Sequence, residues 1–152
     1  MSSTALLVLL GHGAATVYMT GLIWFVHVVH YPLFSGVGAA GYAAYQADHM
    51  RLTGYVVGLP MAVEMVGALW LAFELPPGLP RWMPFAGAML VVGIWASTAL
   101  LSVPAHNALS LGFDAEVHRS LCQTNLVRTV LWTARTLLLG AMLWQLVPTN
   151  PT

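Results

Sequence analysis

The stretch Thr4-Ala5-Leu6-Leu7-Val8-Leu9-Leu10-Gly11-His12-Gly13-Ala14-Ala15-Thr16-Val17-Tyr18-Met19-Thr20-Gly21-Leu22-Ile23-Trp24-Phe25-Val26-His27-Val28-Val29-His30-Tyr31 contains no Asp, Glu, Lys or Arg. It exceeds the roughly 20 helical residues that cross a bilayer. In lipid an unpaired backbone has no solvent to bond to, so such a stretch must be a helix. Three further stretches qualify: Leu52–Leu75, Pro84–Val103 and Leu126–Val147. The expected fold is an all-α, four-helix transmembrane bundle, with residues 1–152 forming one integral-membrane domain.

Composition agrees with this. Of 152 residues, 59% are hydrophobic and 7% charged, against roughly 25% charged in a soluble domain. A formal net charge of zero leaves no basic footprint for nucleic acid. A lone cysteine, Cys122, cannot close an internal disulfide or build a Cys-rich zinc or iron–sulfur module. The expected partners are the lipid bilayer and a lipophilic small molecule, and a homodimer is compatible with four short spans.

Proline punctuates the chain. Pro60 is expected to kink the second span, because it removes a backbone donor and crowds the preceding turn. Pro32 ends the first span, Pro76-Pro77-Gly78-Leu79-Pro80 forms a tight loop, and Pro104 closes the third. The opening Met1-Ser2-Ser3-Thr4 lacks Lys and Arg, so the first span is expected to be retained. Four spans put the loops Tyr31–Arg51 and Pro104–Asn125 on one side, with both termini on the other. Arg51 and Arg119 against Arg81 place the long loops in the cytoplasm of a bacterial inner membrane and the termini outside.

The long loops have helical content of their own. Tyr42–His49 leads into the second span, and Asp114 can cap a helix running through Glu116, His118 and Cys122 towards the fourth. His30 precedes Arg51 by nearly the same interval as His106 precedes Arg128, which points to a duplicated helix pair.

The polar residues sort by depth. His27, His30, Asp48, His49, His106, Asn107, His118 and Asn125 all fall at the long-loop side. Glu64 lies about 20 Å past Arg51, and Arg135 about 15 Å past Asn125, at about 1.5 Å per helical residue. A charge at the bilayer centre costs at least about 2.5–3.5 kcal/mol. Two opposite charges at matching depth are therefore expected to face each other, as a structural ion pair or as the catalytic floor of a site.

His27 and His30, at i and i+3, would share a helix face. With His49, His106 and His118 at the same level, they make a candidate set of ligands for a transition metal, copper or iron ahead of zinc. A b-type haem held by two of these imidazoles is the alternative. Asn125, Arg128, Trp132 and Arg135 form a stripe on the fourth span that suits an anionic or aromatic cofactor or substrate. Taken alone, Arg128 is expected to snorkel to the headgroups. His12 lies about 22 Å before His27 and outside this site. Met61 and Met65 read as core.

The segments His30-Tyr31-Pro32-Leu33-Phe34 and Asn125–Arg135 resemble a group of small bacterial four-span membrane proteins that has no assigned activity. Pro104, Asn107, Leu109 and the Asn125–Arg128–Thr129 segment are similar to the anthrone-oxygenase-like membrane family. That resemblance implies oxidation of a polycyclic aromatic substrate; the His27/His30 pair has no counterpart in it. The leading expectation is a membrane-embedded, metal-dependent redox enzyme of oxygenase-like type acting on a lipophilic small molecule. A haem- or quinone-binding protein, a small-molecule or proton transporter, and an accessory subunit are the alternatives.

Overall fold

The computed structural model describes residues 2–147. Every element among them is helical: α1 (Ser3–Phe25), α2 (Ala39–Phe73), α3 (Trp82–Ser97), α4 (Val103–Leu109) and α5 (Ala115–Gln145). Two five-residue π turns, Val26–His30 and Thr98–Ser102, extend α1 and join α3 to α4, and a 3₁₀ segment covers Pro32–Gly36. Four helical runs are long and apolar enough to cross a membrane. Only 28–33% of each apolar stretch is buried inside the bundle, so most of its hydrophobic side chains face outward. Tyr55, Leu59, Phe73, Leu100 and Leu137 are among those exposed. A soluble monomer rarely shows so continuous an apolar surface, and this is the architecture of a multi-pass membrane protein.

The helix ends follow local chemistry. Ser2 accepts from the Ala5 amide and Asp114 from the amides of Glu116 and Val117, each satisfying donors that a helix start leaves unpaired. The proline loop turns through Gly78 at φ +92°, a left-handed conformation open to glycine. Helix α2 runs unbroken through Pro60 and takes in Tyr42–His49, as the composition of that segment predicts.

Pro104 behaves differently from expectation. It sits in the first turn of α4, and the helix continues to Leu109 rather than closing at Val103. A proline is tolerated there because its fixed φ suits the first turn of a helix, where an amide hydrogen is dispensable. Pro32 likewise stops the wide turn but opens the 3₁₀ segment.

Helix α1 packs on α2 and α5, and α3 packs on the same two, so α2 and α5 stand diagonally across the bundle. Three buried layers stack along its axis. One is built on Leu9, Leu71 and Leu139, the middle one on Met19, Met61, Ile94 and Trp132, and the third on Tyr31, Phe34, Tyr42 and Leu121. Against lipid, close packing and interhelical hydrogen bonds replace the hydrophobic drive. Thr20 bonds Thr136 at 2.7 Å, and Trp24 donates to Thr133 at 3.1 Å, stitching α1 to α5. At Gly67 a Cβ would lie 2.5 Å from the His12 Cβ, so α1 and α2 approach as closely as glycine allows.

The two halves share a register. His49 and Asn125 lie equally far into α2 and α5, and His30 and His106 lie equally far ahead of them. Each half carries a π turn near that histidine: the first ends at His30, and the second ends at Ser102, ahead of His106.

Candidate functional site

Three imidazoles from three helical runs meet at the long-loop end. His30 Nε2 and His49 Nδ1 share a hydrogen bond at 3.0 Å, and Thr53 Oγ1 lies 3.2 Å from the same His49 nitrogen. The His49 and His106 rings stand 5.0 Å apart, centre to centre. His106 is tied on both sides. The Gln46 amide donates to its Nδ1 at 2.8 Å, which places the ring hydrogen on Nε2, 2.8 Å from the Tyr31 hydroxyl oxygen. That oxygen also accepts from Arg128 Nη2 at 3.0 Å.

His118 and His27 are set apart from this group. His118 donates from Nε2 to the Tyr31 carbonyl at 2.8 Å and has Cys122 Sγ at 3.4 Å. Phe34, fully buried, stands between the two sets, 4.9 Å from His49 and 6.3 Å from His118. His27 packs edge-on against Trp24 at 6.3 Å, and its Nδ1 is buried with no hydrogen bond. Residues at i and i+3, as His27 and His30 are, share a face on an α-helix. Both residues lie in the Val26–His30 π turn, whose wider loop turns their side chains apart. Among the described residues, no three His, Cys, Asp or Glu side chains form a ready-made metal cage.

Deeper in the bundle, Glu64 and Arg135 meet as their depths predict. Glu64 Oε1 accepts from Arg135 Nε at 3.1 Å, and Oε2 accepts from Trp132 Nε1 at 2.9 Å. Arg135 also donates to the Gly87 carbonyl, which joins α3 to the pair. All three side chains are buried.

Arg128 does not snorkel. It is 8% exposed and reaches inward to Tyr31 and Asn125, because those two oxygens offer it acceptors inside the bundle. A cavity of about 60 Å³ separates it from Trp132 and is lined by Tyr31, Thr53, Met61 and Thr98 as well. The expected stripe on α5 therefore exists: Asn125 and Arg128 serve the upper network, and Trp132 and Arg135 the lower one. His12 stays outside both networks, hydrogen-bonding its own Leu9 carbonyl and flooring an apolar groove of about 510 Å³ between α1 and α2.

Sequence reasoning missed Tyr31, Phe34, Gln46 and Thr53. Tyr42, Gln46, His49 and Thr53 recur at three- and four-residue steps along α2, a polar stripe that helical periodicity exposes. Nothing in the sequence marks Phe34 as the residue that parts the imidazoles.

Comparison with protein-family models, curated proteins and solved structures gives no match.

Proposed function

We propose that the chain is a membrane-embedded redox enzyme acting on a lipophilic small molecule, with a copper or iron ion held between His30 and His49. The observation that supports it is the 3.0 Å separation of His30 Nε2 and His49 Nδ1. Two nitrogens bonded at about 2.0–2.1 Å to one tetrahedral ion lie about 3.3 Å apart. His30 and His49 would hold the ion in place of the hydrogen that their rings share. The bound ion would supply electron transfer to or from the substrate. Two imidazoles leave coordination positions open, as a catalytic rather than a structural site requires.

The chain's own residues do the rest. Gln46 and Tyr31 fix His106 beside the pair, and Thr53 Oγ1 lies next to the His49 nitrogen that would bind the ion. The apolar outer faces of the helices admit a lipophilic substrate from the bilayer. Glu64, Trp132 and Arg135 hold the helices at a fixed spacing beneath the site. We place the protein in a bacterial inner membrane with its long loops in the cytoplasm. Arg51 and Arg119 are exposed on that side and Arg81 on the other.

Elemental analysis and an absorption spectrum of detergent-purified protein test this. Copper or iron near one per chain is expected, lost in His30→Ala and His49→Ala and kept in His118→Ala. Active protein free of metal overturns the reading. A Soret band replaces it with b-type haem.

A second reading rests on a different observation. Hydrogen bonds and the small cavity link His106, Tyr31, Arg128, Trp132 and Glu64 in one polar column from the long-loop end into the bundle core. Such a column suits proton passage. Proton flux in liposomes that is lost in Glu64→Gln, without bound metal, would favour it.

A further inference from the structure

We propose that the cavity between Arg128 and Trp132 binds one small monovalent anion, either a halide or the carboxylate of a small organic acid. The argument begins with charge. Inside the bundle lie two guanidiniums and one carboxylate: Arg128, Arg135 and Glu64. Among the described residues the ion pairs are Arg51–Asp48 and Arg135–Glu64, so Arg128 keeps an uncompensated charge. A lone buried cation in a membrane core is expensive, and such groups are normally paired.

Unused donors surround that charge. Arg128 Nη2 donates to Tyr31 and Asn125, both neutral, while Arg128 Nε and Asn125 Nδ2 are buried without a hydrogen bond. The Tyr31 oxygen already accepts from Arg128 and His106, which leaves its own hydrogen without an acceptor among the described residues. Arg128 and Tyr31, which carry the positive charge and two of these donor groups, both line the cavity, and no acidic side chain does.

The size of that space selects the ligand. At about 60 Å³ it has room for a few water molecules, taking about 10–15 Å³ of such space for one. A halide or a formate-sized carboxylate fits that space. A single charge also balances Arg128, where a doubly charged ion would leave an excess. Met19, Leu22 and Val57 in the wall keep the rest of the cavity apolar, which strengthens the attraction. This inference rests on Arg128 and its neighbours, and it stands or falls apart from any metal at His30 and His49.

The test uses the full chain in lipid nanodiscs, in gluconate buffer at constant ionic strength, with bromide or formate titrated in. The thermal midpoint should rise and saturate, since a ligand bound to the folded state stabilises it by mass action. Arg128→Gln should weaken the response by about tenfold or more, the worth of a charge-assisted hydrogen bond. Val57→Phe, which fills the cavity and keeps the guanidinium, should abolish it. His49→Ala should leave it intact. If neither cavity variant folds, saturable quenching of tryptophan emission by bromide in the unaltered chain, reversed by formate, takes their place. A response to bromide alone assigns an inorganic anion, and a response to formate alone assigns a carboxylate. A flat response to both, or one unchanged in Arg128→Gln and Val57→Phe, overturns the proposal.

Discussion

Glu64 of α2 and Arg135 of α5 reach across the diagonal of the bundle and pair at 3.1 Å, each side chain 2% exposed. Their helices do not pack on one another. The bridge therefore fixes a distance that no side-by-side packing sets, and α3 joins it through the Gly87 carbonyl.

Breaking the bridge from one side strands a buried charge. Glu64→Gln and Arg135→Gln are each expected to cost about 3–5 kcal/mol, measured by denaturant titration in mixed micelles. The double variant should lose clearly less than the sum of the two, because the second change removes the stranded partner. Strict additivity would show that the two side chains are not coupled.

Trp132→Phe keeps most of the ring volume but removes the N–H that Glu64 Oε2 accepts at 2.9 Å. Losing a hydrogen bond to a charged group costs about 1.5–3 kcal/mol. The same titration should show a loss in that range, and the loss should shrink when Glu64 is already Gln.

Phe34→Ala removes a fully buried ring from among His30, His49, His106 and His118. The expected destabilisation is about 3–5 kcal/mol. Nitrogen-15 spectra of the histidine rings should report it as well, with the His49 and His118 signals moving most. Unmoved ring signals would mean that Phe34 does not set the spacing of the imidazoles.

Two glycines on the α1–α2 face make a controlled comparison. A methyl group at Gly67 would sit 2.5 Å from the His12 Cβ, whereas one at Gly11 meets nothing within 4 Å. Gly67→Ala should force the helices apart and lower the thermal midpoint by several degrees, while Gly11→Ala should be neutral or slightly stabilising.

The membrane-spanning architecture was legible because bilayer thickness and backbone satisfaction leave a long apolar run few alternatives, as in Thr4–Tyr31. The meeting of Glu64 with Arg135 was legible for a related reason: depth along a helix follows from residue count, and charge at that depth demands a partner. Rotation about the helix axis was not legible. Two π turns shift the facing of everything beyond them, and no residue pattern in Val26–His30 or Thr98–Ser102 announces them. The expected five-histidine set therefore divided into His30, His49 and His106 on one side of Phe34, His118 on the other, and His27 beside Trp24. Arg128 misled for another reason. Its position near the end of the apolar stretch Leu126–Val147 favours snorkelling, and only the tertiary placement of the Tyr31 hydroxyl and the Asn125 side chain draws it inward.

The wide turns also carry an evolutionary consequence. Each can be viewed as a single-residue insertion absorbed by the helix, and a residue added or removed shifts an α-helix by about 100° of phase. Deleting one residue within Val26–His30 would restore ordinary winding with Tyr31 and the segment beyond it facing as before, whereas rewinding the turn at unchanged length would swing them by about 100°. A helix built this way can change length by one residue at either turn and still present the same faces to the centre beyond it.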